Sequence, residues 1–346
     1  MRIKARGFPF FVSISDVPIK PKHVWRVGVG AGLLGAILVA LKYALRPPTK
    51  RRVPDTISSA VFVTKVLHTS LGQVVYHESG RGQPLIFVHN VGLGASSYEW
   101  SKVYPEFSAR YRVLALDLVG FGESARPAVP FTAADYARML AELLRAHDWE
   151  QPPILVASGL SAGFCVLLAA QHPELVSRLI LHMPNGTGDL GGHTLTWWSK
   201  VLYRAPLLAR FLYRNHLSTR SSVATWLRKA VFLDPALVTE EMIDVFGTCA
   251  QQPSAEHAAL AWLSGALNFD FEARWRTLLL PVTVLWGEGR TPEPEGRAFR
   301  LQRMLPTSTL TTISEAGAMA ALEAPAAMIA TLDEQLRSDL RVLKAG

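Results

Sequence analysis

The sequence is poor in cysteine and lacks the residue patterns that commonly bind metals. Only Cys165 and Cys249 occur among its 346 residues, too few for a disulfide framework. No C-x-x-C, H-E-x-x-H or acidic calcium-loop pattern is present. Gly30, Gly32 and Gly35 fit G-x-G-x-x-G, but no βαβ unit surrounds them, which argues against dinucleotide binding. The sequence therefore predicts no metal and no other cofactor, and both thiols are interpreted as free and buried.

Acidic residues are also scarce, and one long stretch has none. The formal net charge is +8, and residues 190–233 hold seven Lys or Arg and no Asp or Glu. Such a basic excess favours binding to an anionic partner, either nucleic acid or membrane lipid. Apolar runs interrupt the basic residues, as in "WWSKVLYRAPLLARFLYRNHL", and no nucleic-acid-binding module is recognisable. We expect a solvated basic face and no nucleic-acid partner; a lid that rests on anionic lipid is the alternative.

The N-terminal region contains the longest apolar run. Val27–Leu41 has no polar side chain, and after one lysine the run continues to residue 45. About 19 residues at 1.5 Å each span the hydrocarbon core of a bilayer. The prediction is a single-pass membrane protein with three N-terminal parts: a basic segment over 1–26, an anchor over 27–45 and a basic, proline-rich linker over 46–56. A signal peptide and a docked apolar helix are the alternatives. The denser basic cluster after the run favours a cytoplasmic main domain.

From about Ile57 onward, short apolar runs alternate with helical patterns. Two runs on either side of Gly72, "AVFVTKVLH" and "QVVYHES", predict a pair of strands. Five continuous apolar runs predict buried strands: "PLIFVH", "RVLALD", "PILVAS", "RLILHMP" and "PVTVLWG". Helical segments lie between most of them, and Thr132 can cap one. This alternation predicts a mainly parallel sheet with helices on both faces.

The residues after "PILVAS" carry a catalytic pattern. Gly159–Gly163 reads "GLSAG", which is G-x-S-x-G between a predicted strand and a predicted helix. A sharp turn of this kind strains the backbone of the serine and exposes its hydroxyl. The context predicts Ser161 as a nucleophile, and an ordinary strand–helix turn is the alternative.

Several motifs, in one order, resemble the α/β-hydrolase superfamily in its branch with an HG loop and a helical cap. In chain order they are "FVHNVGLGASSYEW", "VLALDLVGFGESARP", "GLSAGF", "AAQHPELVSRLILHMP" and "LEAP". The resemblance covers roughly residues 61–336. It implies an α/β-hydrolase core over residues 57–185 and 273–346, with a helical cap over 186–272.

The resemblance also implies roles for individual positions. Ser161 matches the nucleophile of the family. The backbone N–H groups of Val91 and Ala162 match the two donors of the oxyanion hole, which stabilises negative charge on a reacting carbonyl oxygen. Asn90 replaces the family's usual glycine after the loop histidine, and asparagine tolerates unusual backbone angles.

Both partners of the nucleophile are missing from their usual positions. Arg290 stands where the acid is expected, and Asn185 stands where some relatives place it instead. Ala318 occupies the histidine position in "GAMAALE", and the final 89 residues contain no histidine. His182 is a candidate substitute base. Three further histidines lie in the predicted cap: His193, His216 and His257.

A serine hydroxyl is a poor nucleophile without a base that takes its proton. We therefore expect a membrane-anchored protein with weak or no hydrolysis that binds an apolar or acyl small molecule in the former active site. The alternative is a working serine esterase or lipase-type enzyme with an unusual base. A histidine nitrogen within hydrogen-bonding distance of the Ser161 hydroxyl would decide for this alternative.

Overall fold

The computed structural model describes residues 35–36, 38–39, 61–186, 205–287 and 294–342. The chain divides into two units, Met1–Leu45 and Arg46–Gly346. The predicted N-terminal segment, anchor and linker lie outside the described residues, apart from helical positions 35, 36, 38 and 39. Within the described ranges we find no helix whose length and hydropathy suffice for a membrane span.

An eight-stranded sheet in the order β1-β2-β4-β3-β5-β6-β7-β8 forms the centre of the second unit. Strands β1, β2 and β4 pair antiparallel, and all other neighbours pair parallel. The sheet is therefore mainly parallel, as predicted. The strands are β1 Val63–His68, β2 Gln73–Ser79, β3 Pro84–Val88, β4 Arg112–Leu116, β5 Ile154–Ser158, β6 Arg178–His182, β7 Val282–Gly287 and β8 Thr309–Ile313.

Ten α-helices and six shorter helical segments are present in the described residues of the second unit. The α-helices are α1 Ala133–Arg145, α2 Gly159–Gln171, α3 Pro206–Leu212, α4 Arg220–Trp226, α5 Glu240–Ala250, α6 Glu256–Leu263, α7 Phe271–Trp275, α8 Pro294–Met304, α9 Ala320–Glu323 and α10 Pro325–Val342. The 3-10 segments are Ser97–Trp100, Tyr104–Phe107, Pro173–Leu175 and Pro235–Leu237. The π-helical segments are Tyr213–Leu217 and Leu227–Val231.

Apolar side chains cover both faces of the sheet, because side chains in a strand point alternately to its two sides. On one face Ile86, Leu155 and Leu179 pack with residues of α1, α2, α7 and α8. On the other face Phe87 and Val156 pack with the 3-10 segments near residue 100 and with α10. Strands β3, β5, β6 and β7 are buried along their whole length, which explains their continuous apolar runs. The predicted helices on both faces are therefore observed.

The helices α3 to α6 lie between β6 and β7 in the chain, in the region predicted as a cap, and are called the cap helices below. Acidic residues from α5 and α6 pair with the arginines of the predicted basic stretch. Glu256 lies 2.7 Å from Arg210 and 3.5 Å from Arg214. Arg220 pairs with Glu240 and Asp244. Much of the positive charge that suggested a lipid-facing lid is thus balanced by carboxylates that follow it in the sequence.

Candidate functional site

The turn from β5 into α2 has its strained residue at Gly159. This glycine has φ +55°, in the left-handed region that only glycine enters at little cost, whereas Leu160 and Ser161 have no such backbone angle. In the fold that the sequence resembles, the strained residue of this turn is the nucleophile. Helix α2 begins at Gly159 itself, directly after the last residue of β5. The turn position therefore lies two residues before Ser161.

Ser161 lies in the first turn of α2 with a fully buried side chain. Its hydroxyl oxygen makes no hydrogen bond in the part of the chain that the structure describes. A nucleophilic serine needs contact with substrate and with a base. The structure does not bring Ser161 to the position that its predicted role requires, because the strand ends two residues earlier than the G-x-S-x-G spacing implied.

Two backbone N–H groups converge on the side-chain oxygen of Asn90. The Val91 N–H donates to Asn90 Oδ1 at 2.8 Å, and the Leu160 N–H donates to the same oxygen at 2.9 Å. One donor comes from the loop after β3 and the other from the residue after the strained turn. These are the positions from which an α/β hydrolase builds its oxyanion hole. The second donor here is Leu160, whereas Ala162, predicted for this role, is a buried residue further along α2.

The Asn90 carboxamide also fills the space beside Gly159. A Cβ atom built on Gly159 would overlap the carbon, the oxygen and the nitrogen of that carboxamide. A nucleophile at the turn would need this space for its own side chain. One asparagine therefore occupies both the oxyanion hole and the space of the nucleophile.

Hydrogen bonds on both sides fix the backbone of Asn90. Its N–H donates to Glu99 Oε2 at 2.7 Å, and its carbonyl oxygen lies 2.6 Å from His89 Nδ1. The Leu118 N–H donates to His89 Nε2 at 3.0 Å, so the proton of a neutral imidazole must sit on Nδ1 and point to the Asn90 carbonyl. Burial lowers the pKa of His89, which keeps it neutral.

Glu99 is a buried carboxyl group below this loop. It is 2% exposed, and its second oxygen bonds to the Ser158 hydroxyl at the end of β5. Burial raises the pKa of Glu99 to about 7, although the hydrogen bonds from Ser158 and Asn90 oppose the shift. The carboxyl group therefore changes its charge near neutral pH.

Comparisons with known proteins agree with the fold. A model of the family described as "alpha/beta hydrolase fold" matches residues 83–325. This chain belongs to that family. It is 26% identical over 274 residues to the 2-hydroxy-6-oxo-6-(2'-aminophenyl)hexa-2,4-dienoic acid hydrolase of Metapseudomonas resinovorans, which covers 78% of this chain and 89% of the relative. It is also 26% identical to the uncharacterized hydrolase YugF of Bacillus subtilis, over 72% of this chain and 88% of the relative.

Solved structures with the same fold include several hydrolases. A serine hydrolase involved in carbazole degradation aligns with a TM-score of 0.67 and 23% identity, over 80% of this chain and 99% of that one. A bacterial membrane phospholipase A aligns with a TM-score of 0.66 and 20% identity, over 90% of this chain and 94% of that one. At these identities the likeness shows the fold alone.

The usual histidine position of the alpha/beta hydrolase family holds no catalytic group. Ala318 lies exposed in the turn between β8 and α9 and offers only a methyl group. Glu323 fixes this turn by accepting hydrogen bonds from the Gly317 N–H at 2.8 Å and the Met319 N–H at 3.3 Å. The loop that should carry the catalytic histidine is therefore kept in shape without one. Arg290, at the usual acid position, lies outside the described residues.

The predicted substitute base does not reach Ser161. His182 is buried at the end of β6, and burial lowers its pKa to about 4, so the ring is neutral. Its Nε2 atom makes no hydrogen bond within the described residues, and neither does the Ser161 hydroxyl. His216 is exposed and His257 is half-buried, and neither bonds to Ser161. His193 lies outside the described residues.

Aromatic side chains from the region between β6 and β7 cover the loop after β3 and helix α2, which is called the elbow helix below because it follows the strained turn at Gly159. A Cβ atom on Gly92 would lie 3.1 Å from the Trp226 indole, and one on Gly163 would lie 3.2 Å from the Phe269 ring. Trp226 also packs against Trp262, with ring centroids 6.0 Å apart. Aromatic rings from this region therefore lie against Gly92, two residues after Asn90, and against Gly163 of α2. The sequence analysis assigned no role to Leu160 or Glu99 and gave Gly159 only as the first glycine of G-x-S-x-G. The same motif aligned two residues earlier, as "ASGLS" with Gly159 at its centre, would have pointed to Gly159 and Leu160.

Proposed function

We propose that this chain is a member of the alpha/beta hydrolase fold family that does not hydrolyse esters and instead binds an apolar or acyl small molecule below its cap helices. The observation that carries the proposal is the position of Asn90. Its carboxamide accepts from both oxyanion N–H groups and lies against a glycine at the nucleophile's turn. No reacting carbonyl can use these donors while the asparagine occupies them.

The magnitudes support the loss of hydrolysis. Removal of a catalytic serine or its base in a serine hydrolase costs a factor on the order of 10⁶ in turnover, and oxyanion donors with substrate binding account for the remaining ~10³–10⁴ over water. Gly159 provides no nucleophile and Ala318 no base. With Asn90 in the oxyanion hole, the residual contribution is also absent. The relatives' names describe hydrolases, and this chain retains their fold without those groups.

A fluorophosphonate probe together with a p-nitrophenyl ester assay tests this proposal. We expect neither labelling nor turnover above that of a Ser161→Ala variant, since the hydroxyl is buried and has no base. Ser161→Ala should leave the free energy of unfolding unchanged or slightly higher, because it removes an unpaired buried hydroxyl. Strong labelling of the wild type that disappears in Ser161→Ala would show that the serine is a nucleophile after all.

The apolar ligand is proposed from the covering of the site. Aromatic side chains such as Trp226 and Phe269 lie over the loop and the elbow helix, and pockets for small molecules are mostly apolar with a few polar groups. Titration with the fluorescent carboxylate 11-(dansylamino)undecanoic acid measures binding directly. We expect Trp226→Ala to weaken binding at least several-fold, while Trp149→Ala, which removes a tryptophan packed under α1 instead, should not.

We propose the membrane location from the sequence. The apolar run 27–45, with basic residues on both sides, supports a single anchor with the main domain in the cytoplasm, and membrane lipid is its partner. Fractionation of the full chain against a chain that lacks residues 1–56 tests the anchor, and protease protection tests the side. Recovery of both chains in the soluble fraction would exclude the anchor.

A further inference from the structure

The orientation of the Asn90 carboxamide follows from its partners. An amide oxygen accepts hydrogen bonds and an amide nitrogen donates them, so the two N–H groups of Val91 and Leu160 must face the oxygen. The nitrogen, with its two hydrogens, therefore points away from both backbone donors. Within the described residues no acceptor bonds to this nitrogen, and Asn90 is only half-buried. The part of the chain that the structure describes thus fixes this donor and supplies no acceptor for it.

The place of this donor is the reacting centre of the fold. The carbon, oxygen and nitrogen of the carboxamide all overlap the position that a Cβ atom on Gly159 would take, which is where the family directs its nucleophile at a substrate carbonyl. The carboxamide also lies at the N-terminus of α2, a helix of 13 residues whose end carries partial positive charge. Both features favour a ligand atom that accepts hydrogen bonds or carries negative charge.

Asn90 is held rigidly enough to act as a recognition group. Glu99 binds its N–H, and His89 binds its carbonyl oxygen. Two further bonds hold the side-chain oxygen, so binding a ligand would cost little ordering of this side chain. A flexible surface amide would lose far more conformational freedom on binding.

We propose that Asn90 is the ligand-recognising residue of the site and that its side-chain N–H group binds the carbonyl or carboxylate oxygen of an acyl ligand. The inference rests on the proposed function and names its polar contact. In this proposal the backbone N–H groups of the oxyanion hole bind the side-chain oxygen of Asn90. The hydrogen-bond donor for the ligand is then the side-chain nitrogen of Asn90. The bond is reversible and involves no attack on the acyl carbon.

Replacement of Asn90 by aspartate separates the two ends of the carboxamide. In Asn90→Asp one carboxylate oxygen still accepts from Val91 and Leu160, but the second oxygen replaces the donor. We expect the affinity for 11-(dansylamino)undecanoic acid to fall about tenfold or more, because a donor becomes a repelling acceptor. The new carboxylate would lie near the Glu99 carboxylate and be repelled by it, which could destabilise the single variant. If so, the affinities of Glu99→Gln and of Glu99→Gln with Asn90→Asp are compared instead, since that background has no carboxylate at position 99.

Side-chain amide signals in an ¹⁵N–¹H NMR spectrum give a second measurement. One asparagine NH₂ pair should shift when the carboxylate probe is added to the wild type, and this pair should be missing from the Asn90→Asp spectrum. Equal affinity of wild type and Asn90→Asp, with no shifted NH₂ pair, would overturn the role of Asn90 but leave ligand binding intact. No binding of the probe to the wild type would overturn both this inference and the proposed ligand function.

Discussion

Asn90 and Gly159 depend on each other at the scale of single residues. The asparagine side chain fits only because its neighbour has no Cβ atom, and that neighbour tolerates φ +55° for the same reason. The family's usual glycine at position 90 and a nucleophile at position 159 would be the reverse arrangement. Asparagine at position 90 would overlap the side chain of a nucleophile at position 159. Glycine at both positions would leave the N–H groups of Val91 and Leu160 without the asparagine acceptor.

The first prediction concerns this pair. Gly159→Ala should destabilise the protein by more than the about 1–2 kcal/mol expected for a left-handed alanine, because its Cβ atom also overlaps Asn90. In an Asn90→Gly background the overlap is gone, so the loss should fall to the backbone cost. A double-mutant cycle of urea unfolding measures the coupling. Equal losses in both backgrounds would mean that the two residues do not exclude each other.

The second prediction concerns Glu99. Its folded pKa of about 7 lies above the ordinary glutamate pKa of 4.5, so the folded protein keeps a proton that the unfolded chain has already lost. The associated stability is full below about pH 4.5 and is lost as the pH rises through 7, by up to about 3 kcal/mol. Glu99→Gln cannot ionise, and its amide oxygen can accept from the Asn90 N–H while its amide nitrogen donates to the Ser158 hydroxyl. Its unfolding free energy relative to wild type should therefore increase from pH 5 to pH 8, whereas parallel pH profiles would contradict the role of Glu99.

At the scale of elements, α1 supports the helix that carries the elbow. Tyr136 of α1 stacks on Phe164 of α2 with ring centroids 4.9 Å apart. Helix α1 begins with a capping box, in which the Asp135 N–H donates to Thr132 Oγ1 and the Thr132 N–H donates to the Asp135 carboxylate. This capping box at Thr132 thus fixes where α1 begins and, through Tyr136, how α2 lies on the sheet.

The third prediction tests the capping box of α1. Thr132→Ala should lower the free energy of unfolding by about 1 kcal/mol, because it removes the acceptor of the Asp135 N–H. Thr132→Ser keeps the hydroxyl and serves as the matched control, with little expected loss. Chemical denaturation of the three proteins provides the comparison. If alanine and serine have the same effect, the threonine methyl group matters and the cap does not.

At the scale of the whole molecule, the loop after β3 connects the sheet to the cap helices. Gly94 has φ +66°, and a Cβ atom there would overlap the carbonyl oxygen of Phe246 in α5. A few residues later the Tyr98 hydroxyl donates to Glu241 Oε1 at 3.0 Å. The loop that holds Asn90 is therefore packed between the sheet and α5, so a disturbance of the cap helices should reach the site.

The fourth prediction compares Gly94 with Gly247, a glycine of α5 that follows the residue Gly94 contacts. Gly94→Ala should destabilise the protein by several kcal/mol and weaken probe binding, because the loop must leave α5. Gly247→Ala, within α5 and with no atom within 4 Å of the added Cβ, should instead stabilise it by up to about 1 kcal/mol. Thermal unfolding and probe titration of both variants distinguish the outcomes. Similar stability of the two variants would show that the loop does not depend on its contact with α5.

Strand prediction from the sequence succeeded where burial leaves a clear pattern and failed at one edge. Strands β3 to β7 were predicted because both faces are covered and most of their residues are apolar. The edge strand β8, Thr309–Ile313, was missed because its threonines are partly exposed and give no apolar run. Edge strands have one unpaired side, so the sequence constrains them less.

The sequence alone determined the mainly parallel sheet, through its alternating apolar runs, and the absence of any histidine after His257. Only the tertiary structure decided the register of the elbow. "ASGLSAG" contains glycines two residues on either side of Ser161, and the end of β5 in the sheet selects Gly159 as the strained one. The bond between Asn90 and Leu160 joins residues 70 positions apart, and a local pattern cannot show such a contact, because it forms only when parallel strands bring their carboxyl ends to one edge.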